Sequence, residues 1–69
     1  MKIIKFKISY TWFCIQRKEL KALSTFILIK DFEDKNNCTL IAIGANATFV
    51  ISEEDYIIVK LKYSEAIID

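Results

Sequence analysis

The sequence predicts a mainly β domain: about five antiparallel strands in one small curved sheet or partly open barrel, with one short helix after the first strand. Three observations carry that prediction. Residues 3–15 alternate, with Ile4, Phe6, Ile8, Tyr10, Trp12 and Cys14 at even positions and Lys5, Lys7, Ser9 and Thr11 between them. Strand side chains point to opposite faces with a period of two, so this pattern gives one apolar and one wet face. The apolar runs after residue 25 are short, rich in isoleucine and divided by clusters of Asn, Asp, Ser and Glu. With no proline and a single glycine, Gly44, the turns fall to those polar residues, which favours loops of three to five residues.

The elements follow in order. The first strand covers about residues 2–15. At ~3.3 Å per residue it is longer than a domain of this size is wide, so it must bend, bulge or overhang toward another chain. Phe13 and Ile15 make its second face apolar near the end. Gln16 to Ser24 reads as a short helix, with Leu20 and Leu23 on one face and Arg17, Lys18, Glu19 and Lys21 around them. Phe26-Ile27-Leu28-Ile29 is apolar on both faces and reads as a central strand over 25–32. If residues 16–27 are helical throughout, the class becomes α+β.

Residues 33–37 make a turn, residues 38–43 a strand, Gly44-Ala45-Asn46 a turn, and residues 47–52 the fourth strand. Residues 56–63 read as the fifth strand, since Ile57, Val59, Leu61 and Tyr63 alternate with Ile58, Lys60 and Lys62. A rival reading caps a helix at Ser52, with Glu53, Glu54 and Asp55 in its first turn. Residues 64–69 suffice for one helical turn docked through Ile67 and Ile68.

Sixty-nine residues are one small domain, 1–69. A chain this short buries only about 60% of its unfolded surface, yet 54% of its residues are hydrophobic, including thirteen isoleucines and nine aromatics. Surplus apolar surface of this kind implies self-association or a protein partner. No run reaches the length of a membrane helix, and lysines at 5 and 7 interrupt any leader-like apolar core. The expectation is a cytoplasmic chain without membrane contact, its two cysteines, Cys14 and Cys38, reduced. Charge is split along the chain. Residues 1–30 hold seven basic residues and one acid, whereas 31–69 hold three and eight.

Chemistry is limited by what is missing. With no histidine there is no Ser-His-Asp or Cys-His arrangement, and the commonest general base and metal ligand are lost. One glycine cannot build a phosphate-cradling loop. The acids Asp31, Glu33 and Asp34, and Glu53, Glu54 and Asp55, read as solvated turn charges, since neither group has the spacing of a calcium loop. No catalytic residue, metal site or cofactor is expected.

Two surfaces remain. Trp12, Phe13 and Ile15, on a strand with two apolar faces, are the candidate protein interface. Lys5, Lys7, Lys60 and Lys62 would form a phosphate-contacting patch if the first and fifth strands were neighbours. The leading reading is therefore a non-enzymatic interaction module, self-associating or adding a strand to a partner, in the size range of small accessory or inhibitor proteins of phages and viruses. A nucleic-acid-binding protein is the alternative.

Overall fold

The computed structural model describes residues 2–68 and overturns the mainly β expectation. The fold is α+β. Its elements are β1 (Ile3–Ser9), α1 (Tyr10–Leu20), α2 (Thr25–Asn36), β2 (Thr39–Ile43), β3 (Asn46–Ser52), α3 (Glu53–Tyr63) and β4 (Ile67–Ile68). The strands form an antiparallel sheet in the order β2-β3-β1-β4. Helices cover one face and leave the other open.

β1 keeps the alternation but stops at Ser9. Phe6 and Ile8 are buried while Lys5 and Lys7 point outward. At Ser9 the side-chain oxygen accepts the Thr11 amide at 3.2 Å and caps a helix, which a sequence read by period alone does not register. Trp12, Phe13 and Ile15 then lie on a helix, where neighbours sit about 100° apart. Phe13 turns into the core at 1% exposure, Trp12 is half-buried against it, and Ile15 faces out. The long overhanging ribbon does not exist.

α1 ends in a left-handed Lys21 (φ 54°), whose neighbour Ala22 donates back to the Arg17 carbonyl at 3.0 Å. The expected central strand over 25–32 is instead most of α2. Ser24 caps it by accepting the Ile27 amide at 3.3 Å, and Thr25, Ile29, Phe32 and Asn36 fall on one buried face. That i, i+4, i+7, i+11 spacing buries the right residues without demanding that Phe26 and Ile27 be inside. The acids Asp31, Glu33 and Asp34, expected in a turn, lie on this helix, where Asp31 pairs with Lys35 at 3.0 Å. Strand expectations over 38–43 and 47–52 correspond to β2 and β3.

The fifth strand is α3, so the Ser52 reading prevails. Ser52 Oγ accepts the Asp55 amide at 3.3 Å and donates to Asp55 Oδ2 at 3.0 Å. Three acids in the first turn and Lys60 and Lys62 in the last complement the helix dipole. These local terms outweigh the strand preference of Ile57-Ile58-Val59. Residues 64–66 form a turn rather than a docked helical turn, and Ile67–Ile68 add β4 beside β1. Asp69 lies outside the described residues.

The core is a contiguous aromatic cluster. Phe49 stacks on Phe6 with centroids 5.4 Å apart and meets Phe32 at 5.1 Å, while Phe13 meets Phe32 edge-on at 5.7 Å. Val59, Ile29, Ile51 and Ala47 fill the remaining space. One ring from each of β1, α1, α2 and β3 therefore closes the same knot.

Candidate interaction surface

Hydrogen-bond parity decides which strand edge is open. Tyr10 donates to the Ala45 carbonyl at 3.1 Å and Glu53 donates to the Lys2 carbonyl at 3.0 Å. These pairs sit at either end of the β1–β3 ladder, in register with it. Bonded and non-bonded pairs alternate along an antiparallel ladder, so even residues of β1 direct their amides and carbonyls to β3. Ile3, Lys5 and Lys7 direct theirs the other way, toward β4. β4 pairs with Lys7 and Ile8 only. Among the described residues, no strand pairs with β1 at Ile3 to Phe6 on that side.

The opposite edge is protected. Leu40, on the outer side of β2, gives its amide to Glu33 Oε2 at 2.9 Å, and a bulge interrupts β2 between Leu40 and Ala42. Bulges and covering side chains are the usual devices that stop an edge from pairing. The asymmetry between the two edges comes directly from the sequence: Glu33 stands seven residues before Leu40, whereas no described residue plays that part for Ile3 and Lys5.

Beside the open edge lies a hollow of about 310 Å³, lined by Lys5, Phe6, Lys7, Asn46, Tyr56 and Ile68. Lys60 Nζ stands 5.9 Å from the Tyr56 ring centre, a loose cation–π contact. Of the four lysines read as one patch, Lys5 and Lys7 share this hollow and Lys60 adjoins it through Tyr56. Lys62 lies elsewhere, in a separate hollow with Lys35, Asn37 and Asp55. The patch as drawn from adjacent strands is corrected, because Lys60 and Lys62 stand on a helix.

The candidate protein interface is also redistributed. Phe13 is core and offers nothing to a partner. Trp12 packs edge-on against Tyr63 at 5.9 Å and lines a smaller hollow of about 170 Å³ between α1 and α2, together with Gln16, Leu20 and Leu28. Ile15 is half exposed. Sequence reasoning missed the outer face of α3, where Ile57, Ile58 and Leu61 are exposed by 57%, 50% and 80%, and the cluster of Leu23, Phe26 and Ile27 at the start of α2. The signal for the first was the Ser52 cap, from which the i, i+4 pair Ile57 and Leu61 follows.

Both cysteines are free thiols. Cys38 is buried with its sulfur 3.9 Å from the Phe32 carbonyl, and burial, reinforced by the Glu33 carboxylate, pushes its pKa up to about 12. Such a thiol is a packing group rather than a nucleophile. Among the described residues, no three acids or cysteines gather as a metal site, and no helix is long and apolar enough to cross a membrane.

Comparison with protein-family models, curated proteins and solved structures gives no match.

Proposed function

We propose that this chain is a non-enzymatic protein-interaction module that takes an extended segment of a partner against the free edge of β1. The observation that carries the reading is the pair of backbone sites at Ile3 and Lys5, directed away from β3 and, among the described residues, paired with no other strand. An added strand would lie beside β1 in line with β4, gaining main-chain hydrogen bonds from those two residues. Its alternate side chains would meet Lys5 and Lys7 on the open face and the hollow beside Tyr56. The Glu33 bond and the bulge on β2 support the same reading, since they make that edge the poorer one for pairing.

Proline scanning of β1 tests this. The Lys5 amide faces the open edge, so Lys5→Pro removes a donor that the β1–β3 ladder does not use. Ile4→Pro removes a ladder bond and should cost about 3 kcal/mol of stability. Peptides of alternating apolar and polar residues, selected by display, are expected to bind the wild type and to slow amide exchange at Ile3 and Lys5. The folded Lys5→Pro variant should bind them at least about tenfold more weakly. Selected peptides that bind both proteins equally, or leave those amides unprotected, would overturn the reading. So would preferential binding of a single-stranded oligonucleotide, steeply salt-dependent and lost in Lys5→Glu/Lys7→Glu.

A further inference from the structure

We infer, resting on the strand-addition reading, that the segment received by the β1 edge is acidic: it sets a carboxylate opposite Lys5, between apolar residues opposite Ile4 and Phe6. Lys5 and Lys7 are exposed and share the open face of the sheet. On the β3 side they face Val50 and Thr48, and on the β4 side Lys7 faces Ile68, so each of their described cross-strand neighbours is uncharged. The ion pairs among the described residues are Lys2–Glu53, Lys30–Asp34 and Lys35–Asp31, and none includes either lysine. Lys60 adds a third cation nearby, its Nζ 5.9 Å from the Tyr56 ring centre. Lys2, by contrast, is matched by Glu53 at 3.6 Å. Among the described residues, positive charge without a counterpart is therefore concentrated at Lys5 and Lys7 rather than spread along the strand.

Strand geometry turns that concentration into a pattern. Residues directly opposite each other in a sheet put their side chains on the same face, with Cβ atoms about 4.5–5.5 Å apart. A carboxylate opposite Lys5 therefore lies on the open face, diagonal to Lys7 as well. Its two neighbours turn to the helix side, where the Tyr56 ring lies 5.5 Å from that of Phe6, so apolar side chains suit them. A second copy of this chain is the wrong occupant. Antiparallel pairing of β1 with β1 through the outward groups of Ile3 and Lys5 would set the two Lys5 side chains diagonal to each other with no acid between them. The strands Ile3–Ser9, Thr39–Ile43, Asn46–Ser52 and Ile67–Ile68 carry no acid at all, so the matching segment belongs to another protein.

Random dodecapeptides displayed on phage and selected on the full chain provide the test, with the register of each bound peptide fixed by amide exchange and cross-strand NOEs to β1. The residue opposite Lys5 is expected to be Asp or Glu. Replacing that acid by Gln in the synthetic peptide should weaken binding about threefold, and replacing it by Lys about tenfold. The folded Lys5→Glu variant, checked by circular dichroism, should reverse the order and prefer the Lys peptide to the acidic one. Peptides that protect the Ile3 and Lys5 amides but place a neutral or basic residue opposite Lys5 overturn the acidic assignment and leave strand addition standing. So does an order of affinities that Lys5→Glu does not change. A selection that yields no peptide protecting those amides overturns both. Protection in the protein alone that rises with its concentration would give the edge to a second copy and overturn the assignment equally.

Discussion

Cys38 shows how a single residue links packing to pH. Its thiol keeps its proton in the folded chain up to about 12, whereas the unfolded chain releases it near the ordinary value of 9.0. The folded state thus holds the extra proton, so this contribution to stability is complete below pH 9 and declines as pH rises toward 12. Chemical denaturation of wild type and Cys38→Ala at pH 8 and at pH 10.5 measures it. The wild type should lose about 1 kcal/mol per pH unit more than the variant across that window. Glu33 shows a second residue-scale economy. Its carboxylate occupies the outward amide of Leu40 and adds to the burial that raises the Cys38 thiol, so one acid serves both an edge amide and a neighbouring core group.

Among the elements, α3 shows local terms overriding composition. Ser52→Ala removes the acceptor for the Asp55 amide and the partner of the Asp55 carboxylate, and should cost about 1 kcal/mol of stability in a urea titration. β1 gives a second prediction. Amide exchange should be slow at Ile4, Phe6 and Ile8, which bond to β3, and fast at Ile3 and Lys5 in the free protein. Equal protection along the strand would contradict the parity drawn from its two end pairs. These two elements also mark what was legible in the sequence. The buried face of β1 was, because Ile4, Phe6 and Ile8 alternate with Lys5 and Lys7. β2 and β3 were, because polar turns bracket them. α1 and α2 were not. Phe13 and Ile29 enter the core from helices begun by Ser9 and Ser24, and a serine between apolar residues is equally a strand's wet face until its hydrogen bond is seen. The free edge was invisible for another reason: it depends on where β4 stops relative to β1, a property of pairing rather than of pattern.

For the molecule as a whole, apolar surface exceeds what a core of this size can absorb. Among the described residues, twelve large hydrophobics remain more than a third exposed, on a chain whose net charge is only +1. Little charge repulsion opposes association near the pI of about 7.7. Solubility should therefore pass through a minimum close to that pH and rise on either side of it as net charge grows. Precipitation curves on both sides of that pH measure it. The sheet order has one more consequence. β1 sits between β3 and β4, so the strand synthesised first is completed last. At about 5–20 residues per second, the ribosome delivers Phe49 several seconds after Phe6 has emerged. Through that interval an oily ribbon waits with no mate, and the charges of Lys5 and Lys7 on its other face work against pairing with a neighbouring nascent chain.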